Sequence, residues 1–484
     1  MPKVQATLLA GRGRVERGLR ALHRYLLLAP PQFVLAGLGC MALAASSDLA
    51  NTFDAPRRGG PLIALLLFIT LLLAFLLFII ACRQTPPRLW QQRRHLLRWL
   101  IYPVLLWSLF TAYQTASITL HGTVTSVTVA PPRYGSDDLY YNHYNAWLVL
   151  RGENPYVGQR LIAALTYFGT TAFTPLARGR FSNPRHYPTQ AQMDAVIRGY
   201  LAHPETIPPE VDPRTTHSYP AGAFLVNLPA VWAGAPSVAI TQLLLLLLLW
   251  VLICRAAPPV WQPLVVVLLL TMADGAREVA GADFEIWPLA FIAFAWLARE
   301  RRITSALLLG AACAIKQTAW IAAPFYLVWV WRRAGWREAL RRAGLAVGAF
   351  LVINLPWIIA SPREWLSSLA LPVSLPLLPD GSGVIGLSLT GILPLFPSWL
   401  YSVLEIALFA GALWWYWRNW RRYPFAGLVL PLLPLLGAWR SSERYFVLLP
   451  LAAVLAVVLT VRERKAPADT SANGISAGAN GAGA

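Results

Sequence analysis

From Pro61 to Cys82 the chain reads PLIALLLFITLLLAFLLFIIAC, without a charge or a glycine. No other feature constrains the fold as tightly, because a helix on the surface of a soluble protein needs a polar face and this run has none. It is long enough to cross the roughly 30 Å of hydrocarbon in a bilayer. Similar runs recur along the 484 residues, of which 57% are apolar and only 13% charged, with a mean hydropathy of +0.51. The residues therefore predict an all-α polytopic membrane protein, since only helices satisfy their own backbone groups in lipid without closing a barrel.

The formal net charge of +19 invites a nucleic-acid reading, and its distribution argues against one. Arginines come in short clusters between apolar runs: Arg12 to Arg24, Arg83 to Arg98, Arg332 to Arg342, Arg418 to Arg422, and Arg462 to Lys465. That is the pattern of cytoplasmic loops facing anionic lipid, and it calls for no nucleic acid. Cys40, Cys82, Cys254 and Cys313 lie in or beside apolar runs without metal-ligand or CxxC spacing, and read as small hydrophobes. The basic start lacks a convincing cleavage site after its apolar run, so a retained first span is expected.

With the basic clusters inside, residues 1–24 form a cytoplasmic amino terminus and 25–461 a single membrane domain of about 11–13 transmembrane helices. Spans at Tyr25–Ala45, Leu62–Cys82 and Leu100–Leu120 place the loop 121–218 on the extracytoplasmic side. Tyr140–Leu150 and Gln159–Phe173 read as interfacial helices within it. Next come Tyr219–Gly234, Ala239–Cys254, Val260–Met272 and Ile286–Leu297. Four full crossings there would leave Arg299, Arg301 and Arg302 outside, so either the first or the third of these falls short. Ser305–Trp331, holding Lys316 and Pro324, reads as two short helices or one broken one. Gly344–Ala360 crosses outward, 361–399 is a second extracytoplasmic loop, and Leu400–Trp417, Phe425–Trp439 and Tyr445–Val461 complete the domain. The tail 466–484, mostly Ala, Gly, Ser and Asn, is expected to be disordered.

Chemistry-bearing residues gather beside the outer loops. Asp137 and Asp138 precede an aromatic helix; a carboxylate there either caps the helix or stands free to take a proton from a hydroxyl. His143 is a second candidate for that work, although a lone histidine is more often incidental. Lys316 lies between apolar stretches, where a cation wants an anion: a bound ligand, or a structural partner among Asp274, Asp283 and Glu285. Arg444 at the start of the last span is either a helix anchor or a second anion contact, with Glu405 as a further partner for either cation. A carboxylate base near one or two cations suits a reaction on a membrane-borne phosphate ester, and a proton-coupled transporter or lipid flippase would use the same residue types.

Three landmarks add a resemblance. Asp138 is followed by Ala146 and then by Gly152, Asn154, Pro155 and Tyr156; Ser218-Tyr219-Pro220 opens the next apolar segment; and a Gly-rich helix with Gly310 leads into Lys316, Gln317 and Pro324. Arg444, Tyr445 and Pro450 are a softer fourth. In this order they resemble the polytopic GT-C glycosyltransferases, closest to bacterial polyprenyl-phosphate-mannose-dependent mannosyltransferases. The chain departs from that pattern in its two extra leading spans, in Ala221 after Tyr-Pro, and at Gly281-Ala-Asp-Phe-Glu285. The resemblance implies a GT-C-like fold in a bacterial inner or plasma membrane, with an extracytoplasmic site. It implies sugar transfer with inversion from a polyprenyl-phosphate donor to a lipid or glycan acceptor, without a metal or other cofactor. It makes Asp138 the base, assisted by Asp137, and assigns the donor phosphate to Lys316, Arg444 and Gln317. His143, Tyr156, His217, Asp283 and Glu285 are further candidates for sugar or acceptor contacts.

Overall fold

A computed structural model describes residues 16–18, 20–53, 59–85, 92, 98–130, 132, 134, 137–213, 217–281 and 284–465. Asp283 and the tail 466–484 lie outside them. Three long helices come first: α1 (Pro31–Phe53), α2 (Gly60–Ala81) and α3 (Ile101–Thr128). The loop helices are α4 (Asp137–Leu150), α5 (Leu161–Phe168) and α6 (Gln190–Ala202). The middle of the chain holds α7 (Ala239–Ala256), α8 (Gln262–Leu269), α9 (Ala273–Gly281) and α10 (Ile286–Leu297). After these come α11 (Arg302–Cys313), α12 (Thr318–Ala334), α13 (Trp336–Ala360) and α14 (Pro362–Ser374). The last two are α15 (Ser398–Asn419) and α16 (Leu449–Lys465).

Six helical segments among the described residues are long and apolar enough to cross a bilayer: α1, α2, α7, α13, α15 and the stretch 443–464 that contains α16. Large apolar side chains stand exposed along these helices, among them Leu62 and Leu76 of α2, Val352 of α13 and Ile406 of α15. A bare apolar surface on that scale belongs in lipid. The last segment is the exception, with 89% of its most apolar window buried. A helix that is apolar all round and enclosed by others is the axis of the bundle. This is the pattern of a multi-pass membrane protein.

One stretch read as a span forms no long helix, and a second is broken. Tyr219–Gly234 holds only the single turns Gly222–Leu225 and Leu228–Trp232, which removes the surplus crossing. Val260–Met272 is taken up by the turn Pro259–Trp261 and α8, and past a break at Leu270 the chain continues as α9. The carbonyl freed at that break accepts hydrogen bonds from the hydroxyls of Thr111 and Thr115 of α3, at 3.1 and 2.9 Å. Phe425–Trp439 departs from expectation differently, as the 3-10 turns Ala426–Leu428 and Leu430–Gly437. Pro431 and Pro434 withhold donors there, and burial on nearly every side lets non-α backbone persist at membrane depth.

The described residues between α3 and Tyr219 form a folded layer with an apolar core of its own, including Tyr140, Leu148, Leu165, Phe168, Ile197 and Tyr200. Helix α6 was not anticipated, although Thr189 and Gln192 form a capping box at its start that is written in the sequence. The loop 361–399 adds α14 and a short strand, β1 (Asp380–Gly381), parallel to β2 (Arg440–Ser441). Charge divides the molecule into two ends. Arg299 and Arg333 meet Glu463 at one end of the bundle, and Arg342 bonds the Arg299 carbonyl there. The loop layer covers the other.

Candidate active site at the loop–membrane boundary

Helix α4 starts at Asp137, so both carboxylates fall in its first turn, where the helix dipole favours negative charge. Neither spends its side chain solely on the helix end. Asp138 Oδ1 accepts the Tyr219 hydroxyl at 2.6 Å, and its Oδ2 lies 3.2 Å from Lys316 Nζ. Lys316 also lies 2.7 Å from Glu285 Oε1, and its ammonium stands over the Tyr219 ring at 4.7 Å. Thr318 donates to the other Glu285 oxygen at 2.9 Å. Lys316 is thus held between two carboxylates and an aromatic face. Its side chain is 7% exposed against 27% for Asp138, so the carboxylate is the more accessible partner.

The landmark residues hold this contact in place. Lys316 sits in the break between α11 and α12. The Ala314 carbonyl in that break accepts from the Gly222 backbone at 2.8 Å. A Cβ on Gly222 would stand 2.4 Å from the same oxygen, so only glycine lets the Tyr219–Pro220 segment dock there. Gln317 donates to the Ser218 carbonyl at 2.7 Å, and Asn354 of α13 accepts from the Ala221 N–H at 2.8 Å. The Gly-x-Asn-Pro-Tyr motif is a turn. Gly152 has φ +74° just past the end of α4, and Asn154 accepts from the Tyr156 N–H while donating to Ser361. The Tyr156 hydroxyl then reaches the Tyr219 carbonyl at 2.9 Å. A chain of contacts thus runs from the motif through Tyr219 to Asp138.

The adjacent acids have opposite environments. Burial pushes the Asp137 carboxyl up, and the charge of Asp138 adds to it, against the hydrogen bond from Thr174 and the more distant Arg444 and Arg440. Burial also works on Asp138, but Lys316, the Tyr219 hydroxyl and Arg444 together outweigh it and hold that carboxyl below the usual range. Two carboxyls pushed apart in this way are suited to different protonation states at one pH.

Of the sequence candidates, Asp138, Lys316 and Glu285 meet directly. Arg444 stands beside them, 3.7 Å from Glu278 and close enough for its charge to act on both Asp137 and Asp138. Gln317 is committed to Ser218, and Asp274 pairs with Arg277 at 2.6 Å. Glu405 forms no ion pair with Lys316 or Arg444 among the described residues. His143 points into the loop core, with Tyr134 at 2.7 Å and the Phe168 ring at 4.9 Å. His217 packs behind Tyr219, against Tyr156 and Phe224, and meets Asn145 at 3.1 Å. Comparison with protein-family models, curated proteins and solved structures finds no match. Tyr219 is a site residue that the sequence marks only through the Tyr-Pro landmark. Thr318, the first residue of α12, and Thr174 and Arg440 near Asp137 lie too far from their partners in sequence for it to signal their role.

Proposed function

We propose that the chain is a membrane glycosyltransferase of the GT-C type, moving a sugar, with mannose the sugar the resemblance points to, from a polyprenyl-phosphate donor to a lipid or glycan acceptor on the extracytoplasmic side. The observation that carries this reading is the contact between Asp138 and Lys316, with Arg444 in electrostatic reach. A group able to take a proton and groups able to hold a phosphate meet where the loop layer closes over the bundle. The acceptor hydroxyl gives its proton to Asp138 while its oxygen bonds to the anomeric carbon from the face opposite the phosphate. The bond from that carbon to the phosphate oxygen breaks, and the electron pair leaves on polyprenyl phosphate, stabilised by Lys316 and Arg444. The sugar is inverted.

The pairing also gives the base a timing. Without donor, Lys316 holds Asp138 in its weakly basic form. A donor phosphate that draws the ammonium to itself removes that partner, and Asp138 becomes the stronger base when there is a sugar to transfer.

One observation favours the rival, a transporter or flippase coupled through Lys316: the ammonium lies closer to Glu285 than to Asp138. A detergent-solubilised protein separates the two. Without two compartments a transporter has no net turnover, whereas a transferase converts radiolabelled polyprenyl-phosphate sugar and extracted membrane lipids into labelled product. Failure to form product across a panel of such donors and acceptors, in protein that still binds donor, would remove the transferase reading.

A further inference from the structure

We infer that the arginine-rich end of the bundle carries a binding site for the phosphate diester headgroup of an anionic phospholipid. The site lies opposite the proposed reaction centre and is independent of it. Helix α13 fixes the geometry. Its start at Trp336 follows directly on Arg332 and Arg333, whereas Asn354 and Ser361 near its end hold Ala221 and Asn154 of the candidate site. Twenty-five residues of helix, about 37 Å, separate the two ends.

At the arginine end a cavity of about 610 Å³ opens between the ends of α12 and α15, lined by Arg332, Arg418, Arg421 and Arg422 together with Trp414 and Trp420. Arg332 stands over Trp420 at 5.9 Å, Arg421 over the same ring at 5.8 Å, and Arg418 over Trp414 at 5.5 Å. Indoles thus preorganise three of the four guanidinium groups without neutralising them, Arg332 lying nearer still to Trp417, at 4.8 Å. Among the described residues none of the four arginines is ion-paired with a carboxylate. The adjacent Arg333, by contrast, meets both Glu300 and Glu463. Four cations around one cavity, without acids, select an anion with several acceptor oxygens, and the planar guanidinium suits phosphate.

The surroundings select a lipid over a free phosphate. Trp414 is 63% exposed, and the strip of α15 leading away from the cavity carries Ile406 and Val403, also exposed. A headgroup seated among the arginines would therefore have its acyl chains running along a bare apolar helix. Tryptophan at that level is the usual residue of the membrane interface.

The test uses the full chain in detergent, stripped of lipid. Native mass spectrometry measures affinity for dioctanoyl-phosphatidylglycerol and dioctanoyl-phosphatidylcholine, and competition by glycerol 3-phosphate. Two variants each remove two charges: Arg418→Gln with Arg421→Gln in the cavity, and Arg24→Gln with Arg337→Gln outside it. Because charge-assisted contacts are strong, phosphatidylglycerol is expected to bind at least about tenfold tighter than phosphatidylcholine. The cavity variant should lose at least about tenfold and the outside variant less than about twofold. The wild-type lipid preference stands whether or not the variants fold. Equal affinity for the two lipids overturns the site, as does an equal loss in both variants. Displacement by glycerol 3-phosphate at the lipid's own concentration range makes the ligand a free phosphate and overturns the lipid assignment.

Discussion

Asp137 and Asp138 are neighbours in sequence and opposites in environment, and the lysine makes the difference. With Lys316→Met, the strongest influence holding the Asp138 carboxyl down is gone, and burial pushes it up against only the Tyr219 hydroxyl and Arg444. The acid limb of the pH profile for residual transfer at limiting donor, which reports the free enzyme, should then move to higher pH. Tyr219→Phe removes one hydrogen bond and should move it the same way by less. An acid limb that stays put in Lys316→Met would detach Asp138 from the titration that controls rate. Two histidines in the loop layer supply a stability prediction. Burial lowers His143 to about 4 and His217 to about 3, against about 6.5 in an unfolded chain. Below that unfolded value the unfolded chain takes up protons that the folded one refuses. Stability is therefore full above about pH 6.5 and declines as pH falls toward the folded values. Melting temperature should drop between pH 7 and pH 4, and His143→Gln should flatten part of the drop.

At the scale of elements, the break between α11 and α12 is the pivot of the site, and the single turn at Gly222 is its clamp. Gly222→Ala would set a methyl group against the Ala314 carbonyl, and overpacking of this kind destabilises by about 1–3 kcal/mol. It should also reduce transfer, because the carbonyl it displaces lies two residues from Lys316. Gly199→Ala in α6, where a Cβ meets nothing within 4 Å, is the matched control and should be neutral or slightly stabilising. Thermal denaturation and initial rates on both variants check this. The broken helix at Lys316 is legible because both flanks of its apolar run carry cytoplasmic arginines, whereas Pro324 lies inside α12 and does not make the break. Long charge-free runs place α2, α7 and α15 within about two residues of their ends, while α1, α3 and α13 each run about eight residues further at one end, where polar or charged residues continue the helix. The 3-10 passage through Pro431 and Pro434 was not legible as such, since an apolar run with prolines reads as a span until its neighbours are known to enclose it. The contact between Asp138 and Lys316 was out of reach, because 178 residues separate the partners. Sequence could nominate both for the same chemistry; only packing puts them together.

At the scale of the whole molecule, arginines in excess of acids cluster at the end opposite the loop layer, whose own arginines are balanced by acids, and the positive-inside rule predicts that the arginine end faces the cytoplasm. In a strain expressing the chain, Ser182→Cys in the loop layer should react with an impermeant maleimide in intact cells, and Ala334→Cys at the arginine end only after lysis. Both positions are exposed, while Cys40 and Cys82 are buried. The reverse labelling would place the candidate site in the cytoplasm and end the extracytoplasmic reading. The central claim, that Asp138 is the base of a sugar transfer, is tested most directly by Asp138→Asn beside Asp137→Asn. The readouts are initial transfer rate from a polyprenyl-phosphate sugar, donor binding and melting temperature. Asparagine keeps the volume and an acceptor for the Tyr219 hydroxyl, so folding and donor binding should survive. A general base contributes about 100-fold to 10,000-fold, so transfer by Asp138→Asn should fall by at least the lower figure, and Asp137→Asn should lose far less. A folded Asp138→Asn protein that kept more than about a tenth of wild-type turnover would contradict the account.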